Sequence, residues 1–553
     1  MWFVKLFLCS VILNLSLGDE EILLEIPQGT LKGLKTTTVY HGKPMYSFKG
    51  IPYAKPNVGS NKFRSPEPAE AWSGVRDATK FGETCVYFCM IRQGLFGDDD
   101  CLFLNIYTPE VNREAKKAVM VFIHGGGFNG GSGEDDMFGG DFLIEHDVVL
   151  VTMNYRLGAV GFLNTGDVNG PGNSGMKDQV MALRWIQDNI QNFGGCPRKV
   201  TLFGQSSGSA SVQYHMLSPM SHGLFSGAIM HSGSVGATWA ISYTPQDDAM
   251  LLADKLGIKS SSTADLVQQL AQIPTKELVR VSGEISKSLN ILQGDMNLFK
   301  PSVEADFGQE RFLPADPWEL VKSGKIADVP LMSGLTTDEA GLFTPMILPM
   351  ASNFEDHFDM FIPSDLNVTD PAERKMIGDA LKEFYFHGKP VNADTEMALT
   401  EMLSDVFFTY GSALTTKIMK SRMNSPVYEY LFNFYTSFGF MKTLMQMEKG
   451  VAHGDELGYI FYANFYKNKP APGSDIEKKT NEMVEMWTNF AKERNPSATM
   501  EFAKVKWEPM GDDDNYLEIG NDLTMKKSMF KERVNLWAGF YKNVLGDYAK
   551  LFD

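Results

Sequence analysis

A serine lies between two glycines in Gly204-Gln205-Ser206-Ser207-Gly208, directly after the apolar run Val200-Thr201-Leu202-Phe203 and before the helix-like GSASVQYHML. A hydroxyl carried on a sharp strand-to-helix turn is the arrangement of a nucleophile elbow. The turn is strained, so residues two positions to either side must be small. Gly204 and Gly208 meet that demand, and the N-terminus of the following helix favours negative charge developing beside it. A serine hydroxyl becomes an effective nucleophile only when a base takes its proton, and the oxyanion it generates needs preorganised N–H donors. Upstream, His124-Gly125-Gly126-Gly127-Phe128 follows the apolar run AVMVFI. Its glycines let bare backbone approach a substrate oxygen as an oxyanion loop, to which Ser207, the residue after the nucleophile, adds its own N–H.

The acid and base of such a site follow the serine in the order acid, then histidine. Of the nine histidines, His357, His387 and His453 lie well beyond the elbow and the next apolar run. His453, in GVAHGDELGYIF, falls in a glycine-flanked loop after the late run PVYEYLF, where a sheet presents functional side chains at its carboxyl edge. His357, in FEDHFDM, reads as a helix-surface residue and His387, in FYFHGKP, as a helix end. For the acid, Glu339 in SGLTTDEAGLF follows the run VPLM, but the adjacent Asp338 is chemically as able, and spacing alone does not separate them.

These groups need a scaffold. AVMVFIH (118–124), DVVLV (147–151), KVTLF (199–203), GAIM (227–230), VPLM (329–332) and PVYEYLF (426–432) are short unbroken apolar runs, the pattern of strands buried on both faces of a parallel sheet. In GMKDQVMALRWIQDNIQNFGG the apolar positions recur at steps of three and four, predicting a helix with one buried face stopped by Gly194 and Gly195. Strands alternating with helices predict an α/β fold around a large, mostly parallel sheet. ILLEIPQGTLKGLKTT has hairpin character with Gly29 in the turn region, which predicts an antiparallel edge. Segments 235–325 and 340–420 read as helical insertions forming a cap, and no linker divides residues 19–553, which are expected to form one domain.

The net charge of −17 and pI near 5.1 argue against a nucleic-acid surface, which depends on clustered lysine and arginine. Residues 1–18 carry Lys5, an apolar stretch from Leu6 to Leu17 and small residues at Ser16 and Gly18, the make-up of a secretory signal cut after Gly18. The stretch is too short and too often interrupted for a membrane anchor, so the mature chain is expected to be secreted. Cys85, Cys89, Cys101 and Cys196 then remain, an even number that permits two bridges without demanding them, and no second ligand pair accompanies Cys85 and Cys89 for zinc. Asn367-Val368-Thr369 is a usable glycosylation sequon, whereas Asn495-Pro496-Ser497 is blocked by proline.

The chain resembles the type-B carboxylesterase family, which includes cholinesterases, insect carboxylesterases and juvenile hormone esterases. FKGIPYAKP (48–56), DDDCLFLNIYTP (98–109), HGGGF, NYRLGAVGFL (154–163), GMKDQVMALRWI, GQSSGSAS, MHSGS (230–234), TTDEAGLF and AHGDELGY occur in the family's order across nearly the whole mature chain. The resemblance implies an α/β-hydrolase fold with Ser206 as nucleophile, Glu339 rather than Asp338 as acid, His453 as base, and Gly126, Gly127 and Ser207 as oxyanion donors. It further implies a Cys85–Cys101 disulfide, leaving Cys89 and Cys196 as thiols. The chain departs from the family's common GESAG elbow at Gln205 and Ser207. It lacks the cholinesterase tryptophan before Cys101, and Ile258 stands where a second family disulfide begins. Cys196 occupies a position where the family usually has aspartate.

The expectation is a carboxylesterase that hydrolyses neutral small-molecule esters without metal or organic cofactor. The GQS elbow and Gly450-xx-His453-xx-Glu456 resemble juvenile hormone esterases, although those usually have alanine at the position of Ser207. A non-enzymatic adhesion protein resembling neuroligins is the rival from another class, and the retained Ser206 speaks against it.

Overall fold

The six apolar runs lie side by side in the middle of a thirteen-stranded sheet. The computed structural model describes residues 20–89, 92–445 and 449–552. In chain order the strands are β1 Glu20–Ile26, β2 Gly29–Thr37, β3 Pro44–Pro52, β4 Val75–Asp77, β5 Phe103–Thr108, β6 Lys117–Ile123, β7 Val149–Met153, β8 Gly195–Gln205, β9 Gly227–His231, β10 Leu331–Thr336, β11 Val427–Phe432, β12 Asn515–Ile519 and β13 Leu523–Lys527. Their spatial order is β1-β2-β3-β5-β7-β6-β8-β9-β10-β11-β12-β13, with β4 beside β2. From β7 to β12 all neighbours are parallel, and antiparallel pairs close both edges.

Burial on both faces explains the unbroken apolar runs. On β6, Val119, Val121 and Ile123 pack into the core on one side of the sheet while Met120 and Phe122 pack into the core on the other, as the two-residue period of a strand requires. The helices that cover the sheet and position the site are α1 Ser174–Asn189, α2 Ser207–Leu217, α3 Glu396–Ser404, α4 Tyr410–Arg422, α5 Asp475–Glu493 and α6 Lys531–Phe540. Three further helices, Pro245–Lys255, Thr263–Gln272 and Thr275–Ser286, lie in the insertion between β9 and β10.

Several element edges differ from the sequence reading, each for a local reason. β10 begins two residues later than the run VPLM and continues through Ser333-Gly334-Leu335-Thr336, because its pairing with β11 extends to Phe432. β7 starts at Val149, since Asp147 turns the chain at φ 59°. The predicted helix is α-helical to Asn189, tightens to a 3₁₀ turn over Ile190–Phe193, and stops at Gly194 with φ 86°. In the predicted hairpin Pro27 and Gln28 form the centre of the turn, and Gly29 closes it opposite Ile26 and opens β2, where a Cβ would lie 2.5 Å from the Trp72 indole nitrogen. His357 is exposed and precedes a 3₁₀ turn rather than lying on an α-helix, and His387 caps the helix Pro371–Phe386.

Two of the quoted motifs prove to be scaffold. Arg156 of NYRLG makes a two-pronged ion pair with Asp178 of GMKDQ, Nε to Oδ2 at 2.7 Å and Nη2 to Oδ1 at 2.6 Å, and donates to the Arg64 carbonyl at 2.7 Å. Next to it Lys177 is bonded to the buried Glu304 at 2.7 Å. Removing one partner of a buried pair leaves the other charge uncompensated, at a cost of about 3–5 kcal/mol. These residues therefore fix α1 behind the sheet. The predicted signal segment, residues 1–18, lies outside the described residues, among which no helix is long and apolar enough to cross a membrane.

Candidate active site

Ser206 joins β8 to α2 with φ 60° and ψ −123°, a conformation costing a non-glycine residue about 1–3 kcal/mol. Neighbouring backbone holds it there. The Ser206 amide donates to the His231 carbonyl on β9 at 2.9 Å, and its own carbonyl accepts from Ala210 at 2.9 Å. The flanking glycines are obligatory. A Cβ on Gly204 would sit 2.4 Å from Gly208, and one on Gly208 would sit 2.0 Å from the Ile123 carbonyl oxygen. Gly233, behind the turn, has no room either, at 2.2 Å from the Ser206 carbonyl. The Ser206 residue itself is half-buried, within reach of solvent.

The glycine loop after β6 lies against this elbow, since a Cβ on Gly125 would approach the Ser206 Cβ to 3.0 Å. The N–H and C=O of a trans peptide point in opposite directions, so whatever holds a carbonyl also aims the next amide. His124 Nδ1 bonds the Gly125 carbonyl at 2.8 Å, which orients the Gly126 N–H. Asn129 and Gly130 amides bond the Gly126 carbonyl at 3.0 and 3.1 Å, which orients the Gly127 N–H. Among the described residues, none accepts from the amides of Gly126, Gly127 or Ser207. Gly126 at φ 115° and Gly127 at φ 62° adopt backbone that favours glycine. Burial drives the His124 imidazole down to about 4, keeping it neutral. A residue that sequence reasoning missed, Asn297 from the β9–β10 insertion, donates from Nδ2 to the Gly127 carbonyl at 2.7 Å. Nothing in its local sequence signals that contact.

His453 and Glu339 meet from opposite ends of the C-terminal half. Glu339 follows β10 and is fully buried; its Oε2 lies 2.7 Å from His453 Nδ1. Its Oε1 accepts from the Thr336 amide at 2.7 Å and from Ser232 Oγ at 2.5 Å. A carboxylate at Nδ1 sets the tautomer that leaves Nε2 free to accept a proton. That Nε2 is buried and has no partner among the described residues, including Ser206 Oγ. Such bonds commonly close only with substrate bound. The elbow and the histidine loop nevertheless touch, because Gln205 Nε2 lies 3.0 Å from where a Cβ on Gly454 would be. Asp338 does something different. Its Oδ2 accepts from the Val451 amide at 2.9 Å and its own amide donates to the Val451 carbonyl at 3.0 Å, bracing the loop two residues before His453.

Behind the pair lies a polar cluster that the sequence did not reveal. His231 Nδ1 is 2.8 Å from Tyr430 Oη and 3.2 Å from Glu456 Oε1, while Trp487 Nε1 donates to its Nε2 at 3.0 Å. The indole donor requires an unprotonated Nε2, and burial lowers this imidazole to about 3. Burial, with the negative charge of Glu339 adding to it, pushes the Glu456 carboxyl up to about 8. In front of the pair, Phe408 covers His453 at 4.2 Å between ring centroids, and Trp239 and Phe343 lie 5.8 and 6.3 Å from Phe408.

A disulfide joins Cys85 to Cys101, and Cys89 and Cys196 are buried thiols. Asn367 is exposed on a left-handed turn, at the rim of a polar cavity of about 700 Å³ that also includes Asn297.

The carboxylesterase family model matches residues 20–537. Esterase FE4 of Myzus persicae is 33% identical over 519 residues, covering 88% of this chain and 89% of that protein. Juvenile hormone esterase of Tribolium castaneum is 33% identical over 530 residues, covering 89% of each. Among solved structures, a juvenile hormone esterase from Manduca sexta with OTFP covalently attached superposes with a TM-score of 0.84 at 28% identity, covering 95% of this chain and 100% of that one. Matched along nearly its whole described length in sequence and in fold, the chain belongs to the carboxylesterase family of α/β-hydrolases and is a carboxylic ester hydrolase.

Proposed function

We propose that the chain is a secreted serine carboxylesterase working through an acyl-enzyme. Ser206 Oγ attacks the ester carbonyl carbon while its proton passes to His453 Nε2. The C=O π electrons move to oxygen, and the amides of Gly126, Gly127 and Ser207 stabilise that charge. Collapse of the tetrahedral intermediate breaks the bond to the alcohol oxygen, which takes the proton from His453 and leaves. Water then repeats the cycle on the acyl-serine and releases the carboxylic acid. Glu339 orients the imidazole and stabilises its protonated form without accepting the proton itself. The observation that carries this reading is the 2.7 Å Glu339–His453 contact, with an unpartnered Nε2 on the loop that touches the strained Ser206 elbow.

Fluorophosphonate labelling tests it: one adduct on the parent, at Ser206, and none on Ser206→Ala. A folded Ser206→Ala protein that keeps parental turnover would refute the assignment. Secretion by the 1–18 segment, one catalytic domain over 19–553 and a glycan on Asn367 belong to the same proposal, and mass spectrometry of protein recovered from culture medium checks all but the domain.

The substrate class follows from the walls. Phe408 sets an apolar ring beside His453, backed by Trp239 and Phe343, and no tryptophan between Cys85 and Cys101 provides the platform on which a quaternary ammonium would stack. Neutral esters are therefore preferred over choline esters of the same acyl group in kcat/KM. A second reading, a juvenile hormone esterase, is favoured by Gln205 in the elbow and by relatives that bear that name. A kcat/KM for juvenile hormone far above that for simple aliphatic esters would select it.

A further inference from the structure

The stretch between α3 and α4 is a π-helical turn, Asp405–Thr409, in which the Tyr410 amide bonds the Asp405 carbonyl five residues back. Such a turn frees carbonyls that a regular helix would satisfy, and it recurs at functional sites. Side chains fill the gaps here. Trp239 Nε1 donates to the Phe407 carbonyl at 2.6 Å, and Thr409 Oγ1 donates to the Ser404 carbonyl at 3.2 Å. The turn is anchored on its far side. Arg533 of α6 grips the fully buried Asp405 with two donors, Nε to Oδ2 at 2.7 Å and Nη2 to Oδ1. Tyr385 Oη also donates to Asp405 and is itself held by Trp537 Nε1 at 3.0 Å.

On its near side the same short stretch reaches both members of the acid–base pair. Ser404 Oγ accepts from the Ala340 amide, directly after Glu339, at 3.0 Å. The Phe408 ring lies 4.2 Å from the His453 ring at an interplanar angle of 31°. The bond to Cβ and the Glu339 contact at Nδ1 hold one edge of the imidazole, and the opposite edge, which carries Nε2, can still swing by small changes of χ1 and χ2. A surface against its face removes that freedom, and the negative face of an aromatic ring also favours the imidazolium formed during turnover.

Building on the assignment of His453 as base, we propose that Phe408 is a positioning residue for it. The π-turn, tied by Asp405 to Arg533 of α6, holds the Phe408 ring against the imidazole at a tilt of 31°.

The test is the split between kcat and KM for 4-nitrophenyl acetate. Phe408→Leu keeps an apolar wall but loses the aromatic face. It is expected to lower kcat by about tenfold while KM changes by less than about twofold, and Phe408→Tyr is expected to recover kcat to within about threefold of the parent. A raised KM with unchanged kcat would make Phe408 a pocket wall only and overturn the proposal, as would a tyrosine variant as slow as the leucine one. If Phe408→Leu does not fold by circular dichroism, Phe408→Met, which fills the space more fully without an aromatic face, carries the test, with a kcat loss of several-fold expected and an unchanged kcat overturning the idea. His453→Ala separates this from the base assignment. Should that variant keep its turnover, the assignment itself fails. Should it lose turnover while Phe408→Leu does not, only the positioning role falls.

Discussion

Around Ser206 the site is made of backbone, and around His453 it is made of side chains. The Ser206 side consists of a strained turn, three amides without acceptors among the described residues and glycines packed against carbonyl oxygens at distances that admit no Cβ. The other side consists of a carboxylate with three contacts, an imidazole braced through Asp338 and a buried polar cluster behind them. Backbone geometry has no intermediate setting, because a clash at 2.0 Å cannot be relieved by rotating a bond. Side-chain geometry degrades by degrees, as each contact contributes about 1–3 kcal/mol and neighbours can shift. Substitutions on the first side should therefore act all-or-none and those on the second in steps.

The largest effect is expected from Gly208→Ala. Its methyl group would sit 2.0 Å from the Ile123 carbonyl oxygen, and both β6 and α2 would have to move, at a cost of more than about 3 kcal/mol. Little soluble, active protein should be recovered; a folded and active Gly208→Ala enzyme would erase the contrast between the two sides. Next comes Glu339→Gln, which keeps shape but loses charge and can present its amide to Nδ1 in place of an acceptor. A fall in kcat of about 10⁴-fold with an unchanged melting temperature is expected, and a loss of less than about tenfold would show that Glu339 does not set the tautomer.

Asp338→Ala is a step smaller. The Val451 amide loses its acceptor, so kcat should fall by about tenfold and stability by about 1–3 kcal/mol; a loss as large as that of Glu339→Gln would mean the two acids share one role. The smallest effect sharpens the comparison through pH. Glu456, pushed up to about 8 by burial and by Glu339, holds its proton in the folded protein over a range where the unfolded chain has released it. Its neutral form favours folding below the ordinary carboxylate range, and that contribution is lost as pH rises through about 8. Glu456→Gln removes the titration, so its melting temperature relative to the parent should climb from about pH 5 to about pH 8. A constant difference across that range would mean that Glu456 is already ionised in the fold.

Legibility followed the same division. The serine turn and the glycine loop after β6 could be read as backbone features because their physical demand falls on consecutive residues: a strand must be apolar, a turn must be glycine, and the two occur together in the chain. Choosing between Asp338 and Glu339 could not be done from residues alone, since both follow the same strand and only contacts 113 or 114 residues away separate them. Asn297 and Phe408 left no local mark, and the pattern that includes Glu456 did not tell what Glu456 touches. An asparagine in a helical insertion and one phenylalanine among many are ordinary until folding sets them beside the Gly127 carbonyl and His453, and only folding sets Glu456 beside His231.

The sequence by itself determined the alternation of buried strands and helices, the serine turn and the glycine loop, since each is a local requirement of backbone sterics and burial. Tertiary structure alone decided which acid meets the histidine, which amides lack an acceptor, and what covers the imidazole. Those outcomes depend on directions in space between β8, β10, β11 and a π-turn anchored to the last long helix, and side-chain hydrogen bonds are made or lost within a few tenths of an ångström, a precision that only the packed core enforces.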